Sequence, residues 1–297
     1  MPDWPGGARG ALCLSFDNLG EAAELELGAL GADAPLSADA TLGRHFTVTR
    51  VLPSLLDALA ERDLAATFFV EGLNAELYPD ALRAIAAGGH ELAYHAWRHE
   101  QWGELSAAGQ AENLARGLTA FRDLGGGMGI ELKGMGIGLT GMRPPGGQLG
   151  AGGVEVLREA GLRYCSPAGE GAGVEDGIAL LPFQWRHVDA TCVLPPLAPA
   201  RERMTGSPDP LDPDTFLAYL GAEIERLSTE GGFATIVLHL FMLDWLGGDR
   251  FGALLDRVRE AKNRGDLWLA PCGHVAEHIL AHPHEFQGGT TLDPTSW

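Results

Sequence analysis

Eight short apolar runs, spread along the whole chain and separated in several places by amphipathic helical patterns, most constrain how this sequence folds. They are "ALCLSF" (11–16), "AATFFV" (65–70), "HELAY" (90–94), "IGLTGM" (137–142), "LRYCS" (162–166), "IALLPF" (178–183), "FATIVL" (233–238) and "LWLA" (267–270). Their length and their bounding glycines and polar residues fit buried strands. "TVTRVLPSLLDALAERD" sets Val51, Leu52, Leu55, Leu56 and Leu59 on one stripe, and "SAAGQAENLARGLTAFRDLGGG" opens on a capping serine and closes on glycines. "DPDTFLAYLGAEIERLSTEGG" and "FGALLDRVREAKNRGD" supply two more helices. Alternating strands and helices imply a mainly parallel sheet. Seven or eight such units in 297 residues predict an α/β fold, a closed or nearly closed (β/α) barrel of seven or eight parallel strands. An open doubly wound sheet is the alternative, although no glycine-rich phosphate fingerprint follows the first strand. No linker divides the chain, so residues 1–297 read as a single domain. The Gly- and Pro-rich stretches 125–153 and 192–214 read as long surface loops.

Composition narrows the partners. Forty acidic against 21 basic residues give a formal net charge of −19, which repels phosphate backbones and argues against a nucleic-acid partner. No run reaches the roughly 18 apolar residues of a membrane helix, and the first residues lack a basic start with an apolar core, so a cytoplasmic protein off the membrane is expected. Cys13, Cys165, Cys192 and Cys272 show no paired spacing and read as buried reduced thiols. Both monomer and homo-oligomer are compatible with this surface.

Reactive groups in a parallel barrel gather at the carboxyl ends of its strands. Asp17 and Asn18 follow the first run, His95 and then His99 follow "HELAY", Arg143 and Pro144-Pro145-Gly146-Gly147 follow "IGLTGM", and His239 follows "FATIVL". A separation of four is what one helical turn needs to aim two imidazoles at one point, but spacing alone decides little. With 10 histidines in 297 residues about 0.3 such pairs arise by chance, and the tail "GHVAEHILAHPHEF" repeats the spacing at His274, His278 and His282. Convergence from four strands is what the tail lacks. Val275 and Ile279 make the tail an amphipathic last helix rather than an H-x-x-E-H protease site. Two imidazoles and an oxygen ligand make a hydrolytic zinc centre, in which bound water is acidified to a pKa of about 7. Asp17 has the identity of a base for that water, His239 of an acid for a leaving amine, and Arg143 of a partner that keeps the base ionised.

The motifs "SFDN" (15–18), "GHELAYHAWRH" (89–99), "RPPGG" (143–147) and "VLH" (237–239) resemble, in order and separation, those of the polysaccharide deacetylase family, also called NodB-homology or carbohydrate esterase 4. The resemblance runs from about residue 11 to 280. It implies a distorted (β/α) barrel and a hydrolase of non-peptide C–N bonds, an N-deacetylase acting on an N-acylated sugar or related small amide. The implied cofactor is a divalent metal, zinc first and cobalt, nickel or manganese as alternatives. By the same resemblance Asp17 is the catalytic base, Asn18, His95 and His99 the metal ligands, Arg143 the partner of the base, Gly146 the oxyanion N–H and His239 the catalytic acid. Asn18 stands where the family has a charged aspartate, and Gly146 where it has an aromatic.

The family's fourth motif has no clean counterpart. "LPFQWRHVDA" lies in its region, so Trp185 and Asp189 are candidates for lining the site, Asp189 also for tuning His239. Trp97, like Trp102 and Trp245, has a face suited to stacking on a sugar, although core packing is the commoner use of such a ring. "LGRHFTVTRVLPSLLDALAERDLAATFFVEGLNAE", "AYHAWRHEQW" and "LWLAPCGHVAEHI" resemble a sub-branch that includes metal-independent allantoinases and other small-amide hydrolases. Metal-free cyclic-amide hydrolysis is therefore the first alternative. A non-catalytic carbohydrate- or ligand-binding protein on the same scaffold is the second.

Overall fold

A computed structural model describes residues 3–28, 42–126 and 139–297. Its strands are β1 (Gly10–Asp17), β2 (Thr67–Val70), β3 (Glu91–Tyr94), β4 (Gly141–Met142), β5 (Tyr164–Cys165), β6 (Gly169–Glu170), β7 (Gly173–Glu175), β8 (Ile178–Leu180), β9 (Gly232–His239), β10 (Leu267–Leu269) and β11 (Thr291–Leu292). Nine form one curled sheet, while β6 and β11 make a separate antiparallel ribbon. β1 pairs along residues 10–17 with β9; on its other edge residues 10–12 pair with β10 and residues 15–17 with β2. From β2 the sheet continues through β3, β4, β5 and β8, all parallel.

The sheet curls into the distorted (β/α) barrel that the sequence predicts, and it stays incompletely closed. β8 meets antiparallel β7, and the gap between β8 and β9 is crossed by a lone bridge, Val188 to Val237. The Gly-rich run 169–177 turns the chain back on itself as a hairpin, where a parallel crossover would have needed a helix. The fourth apolar run is a strand over Gly141–Met142, and its residues 137 and 138 lie outside the described residues. The stretch 192–214, expected as loop, contains a helix over Ala198–Thr205. Pro199 falls in its first turn, where no N–H is needed, and Gly206 closes it in the left-handed conformation. Buried Arg201 anchors this helix by donating to the carbonyls of Thr191, Leu194 and Pro208.

Strand side chains alternate between faces, and the alternation positions the site. Leu12, Leu14 and Phe16 of β1, Phe68 and Val70 of β2, Leu92 and Tyr94 of β3 and Ile236 and Leu238 of β9 enter the core shared with the helices. Leu52, Leu55 and Leu59 of the helix Leu52–Ala60, and Phe216, Leu220, Ile224 and Leu227 of the helix Pro213–Glu230, pack on it from outside. Each such fully buried side chain contributes about 1.5–3 kcal/mol. The alternate residues Ala11 and Cys13, Phe69 and Ala93 face the concave side, where the helix Cys272–Ala281 plugs one end with Cys272, Val275, Ala276 and Ile279. Continuing that register past the strand ends puts Asp17, Glu71, His95, Arg143 and His239 in the concave row. All four cysteines are free and buried. No helix among the described residues is long and apolar enough to cross a membrane.

Candidate active site

Asp17 and His239 are direct neighbours in the β1–β9 register, so base and acid candidates stand side by side. Asp17 Oδ1 accepts from Arg143 Nη1 at 2.6 Å, and Asp17 Oδ2 lies 3.8 Å from His95 Nε2. Arg143 is almost wholly buried, yet every part of its guanidinium is occupied. Nη1 also donates to Ser15 Oγ, Nε and Nη2 donate to Ser166 Oγ, and the plane lies over the Phe69 ring at 4.0 Å. A guanidinium fixed this way holds a carboxylate charged without competing for its second oxygen.

His95 and His99 do come together, with ring centroids 4.8 Å apart, but not through a helical turn. Ala96 (φ 63°) and His99 (φ 71°) are left-handed, and the chain folds tightly back. Such values are costly for non-glycine residues and persist only where surroundings impose them. Glu100 caps this turn by accepting from the N–H groups of Trp97 and Arg98, while Ala96 O and Trp97 O accept from the N–H groups of Gly72 and Leu73. His95 Nδ1 donates to the Arg143 carbonyl at 2.8 Å, leaving Nε2 with its lone pair. Burial, assisted by the positive charge of Arg143, pulls His95 down to about 3, and burial likewise holds His99 well below the usual imidazole range. Both are therefore neutral donors at physiological pH.

Asn18, also left-handed (φ 59°), turns its amide toward the end of β2, where Nδ2 donates to Glu71 Oε1 at 2.6 Å. The second oxygen of Glu71 accepts from Asn74 Nδ2 at 3.0 Å. Burial pushes the Glu71 carboxyl up to about 8 despite these donors, and the nearby Asp17 charge adds to the rise.

On the far side, Asp189 binds His239 twice, accepting from the backbone N–H at 2.8 Å and meeting Nδ1 at 2.5 Å. Burial works against the imidazolium, but the Asp189 carboxylate outweighs it, with Asp17 helping, and the His239 pKa is raised. Gly146 lies in the turn Pro145–Gly147 at φ 74°, facing Gln101. Trp185 donates Nε1 to the Pro294 carbonyl and packs edge-on to Phe183. Trp97 is buried, its ring covered by the Arg116 guanidinium at 3.6 Å.

A divalent ion is compatible with these residues. The two imidazoles are neutral and adjacent, and buried His99 Nδ1 has no hydrogen-bond partner. His95, His99 and the Asn18 amide oxygen are the donors that would hold it. Among the described residues no group of three or more His, Cys, Asp or Glu side chains forms such a site.

Residues 39–165 match the model of the polysaccharide deacetylase family. That match takes in less than half of the chain. A chitooligosaccharide deacetylase of Sinorhizobium fredii (strain NBRC 101917 / NGR234) is 43% identical over 70 residues, covering 24% of this chain and 31% of the relative. A chitin deacetylase of Colletotrichum lindemuthianum is 36% identical over 86 residues, covering 27% of this chain and 34% of the relative. These alignments thus span about a third of the relatives' own length. Among solved structures, a Mycobacterium smegmatis protein designated a candidate polysaccharide deacetylase superposes with a TM-score of 0.73 at 26% identity, covering 98% of this chain and 96% of that one. Puue allantoinase shares the fold, with a TM-score of 0.69 at 20% identity over 94% of this chain and 93% of its own. The segment matching the deacetylase family contains His95, Trp97, His99, Arg143 and Gly146. Asp17, Asn18, Asp189 and His239 lie outside it and meet the others through sheet register and tertiary contact, whereas Trp185, also outside it, contacts Phe183 and Pro294.

Ser15, Glu71, Glu100 and Ser166 were not singled out by sequence. Glu71 and Ser166 directly follow the last residues of β2 and β5, so the strand-end rule applied to every strand would have found them.

The Asp189–His239 contact sets a pH dependence. A general acid works below its pKa, so activity is lost as pH rises through the raised His239 value. Asp189→Asn removes the leading favourable charge and is expected to move the alkaline limb of kcat/KM to lower pH, each unit costing about tenfold in protonated acid above it. An unmoved limb in a pH–rate profile would separate His239 from that limb.

Proposed function

We propose that this chain, read as one domain over residues 1–297, hydrolyses non-peptide C–N bonds and acts as an N-deacetylase on an N-acylated sugar or related small amide. The observation that carries this reading is the flanking pair: a carboxylate held by a buried guanidinium and, beside it in register, an imidazole hydrogen-bonded to its own carboxylate. Asp17 Oδ2, unshared with Arg143, takes the proton of the attacking water. Gly146 offers a backbone N–H to the developing oxyanion. His239 keeps Nδ1 on Asp189, so Nε2 delivers the proton to the departing amine as the C–N bond breaks.

Under this proposal His95, His99 and Asn18 hold a divalent ion, zinc or a similar metal, which when bound polarises the carbonyl and acidifies water. The chitooligosaccharide, chitin and peptidoglycan deacetylases among the relatives favour an N-acetylated amino sugar as substrate. Four unpaired buried thiols support a reducing, cytoplasmic setting. The neutral amide at position 18 motivates a second reading, the same proton transfers on a ring amide without an ion. An amide panel spanning N-acetylated chitooligosaccharides and allantoin, run with and without chelator, tests both. Acetate release from the sugars, lost on chelation and restored by zinc, is expected. Chelator-resistant opening of the ring amide would replace the first reading with the second.

A further inference from the structure

An asparagine can present either its oxygen or its nitrogen to the His95–His99 pair, and only the oxygen can bind a cation. Three features bear on that choice. Asn18 follows the last residue of β1 in the left-handed conformation, with its amide turned toward the end of β2. Glu71 waits there, completely buried, and its Oε1 accepts from Asn18 Nδ2. Its Oε2 accepts from Asn74 Nδ2, and Asn74 also donates to the Leu19 carbonyl, holding the loop that carries Asn18. Both carboxyl oxygens are thus engaged by amide N–H groups, and an amide whose nitrogen is held on Glu71 has only its oxygen free for another partner.

We propose that Glu71 is a positioning residue that fixes the Asn18 amide with nitrogen outward and oxygen toward His95 and His99. Residues 18 and 71 then form one acid–amide unit whose carboxylate sits one side chain further from the imidazoles. The inference rests on the ion site proposed above. It has a direct consequence for substitution. Asn18→Asp alone sets two carboxyl groups at hydrogen-bond distance, which pair only by sharing a proton, whereas Asn18→Asp combined with Glu71→Gln restores an amide donor opposite a carboxylate.

The test is zinc affinity by competition with a chromophoric chelator on wild type, Glu71→Gln, Asn18→Asp and the double variant. Alongside it, 15N NMR of the ion-free protein follows the Asn18 side-chain amide, assigned by its loss in Asn18→Asp. Loss of an outer partner that orients a ligand costs about 10–100-fold in affinity, the drop expected for Glu71→Gln. The double variant is expected to bind better than Asn18→Asp. In ion-free wild type one Asn18 Nδ2 proton resonates downfield and is protected from exchange, and Glu71→Gln, with one acceptor oxygen for both Asn18 and Asn74, shifts it upfield and cuts that protection. Equal affinities for wild type and Glu71→Gln, or a double variant no better than Asn18→Asp, would overturn the proposal. Wild type that takes up no zinc would sink the ion site, and the amide resonance then decides: an unchanged one in Glu71→Gln refutes the positioning role, an upfield and less protected one supports it. If Glu71→Gln alone fails to fold, comparison of the double variant with Asn18→Asp carries the test.

Discussion

Asp17→Asn is expected to lower kcat about 100- to 10,000-fold, the range that a positioned general base supplies. The change removes the charge and basicity of Oδ2 while leaving an oxygen able to accept from Arg143 Nη1, the bond now 2.6 Å long. Arg143 keeps both serine hydroxyls and its place on Phe69, so the site should persist with little change in circular dichroism. Initial rates on a confirmed amide substrate check the prediction. A variant within tenfold of wild type would mean that another group takes the proton.

Arg143→Met carries the largest expected stability effect. The ion pair with Asp17 is almost fully buried, and removing one partner of such a pair costs about 3–5 kcal/mol because the other is left uncompensated. Methionine fills much of the volume against Phe69 and Phe183 but gives Ser15 and Ser166 nothing to accept. Urea unfolding should show the loss as a lower midpoint. Adding Asp17→Asn to Arg143→Met should recover part of it, since the stranded charge is then gone. Additive losses in that double-mutant cycle, or a single loss below about 1 kcal/mol, would contradict the account.

The parts of this architecture that were legible in the sequence are those that follow from strand periodicity. Apolar runs bounded by glycine and polar residues marked the parallel strands, and the rule that reactive groups follow strand ends singled out Asp17, His95, Arg143 and His239, which the alternation places in one concave row. What stayed hidden was fixed by contacts distant in sequence. The turn carrying His99 resembles a helical spacing, but its left-handed residues are imposed by Glu100 and by the backbone of Gly72 and Leu73. Asp189, which family resemblance alone offered as a tuner of His239, lies 50 residues before it in a segment without periodicity, so the geometry of its two hydrogen bonds to that histidine was not legible. The strands of two or three residues between 169 and 175 are too short to show a period, and the open barrel edge follows from the hairpin of β7 with β8. The Ala198–Thr205 helix was masked by prolines that composition reads as loop but that a first turn accepts.

The measurement that bears most directly on amide hydrolysis at this site is a joint count of acetate and free amine released from N-acetylated chitooligosaccharides by the zinc-loaded protein and its Asp17→Asn variant. The two products should rise together in equal amounts with wild type and fall together in the variant. Acetate without amine, equal release by both proteins, or no release from any member of the amide panel would contradict it.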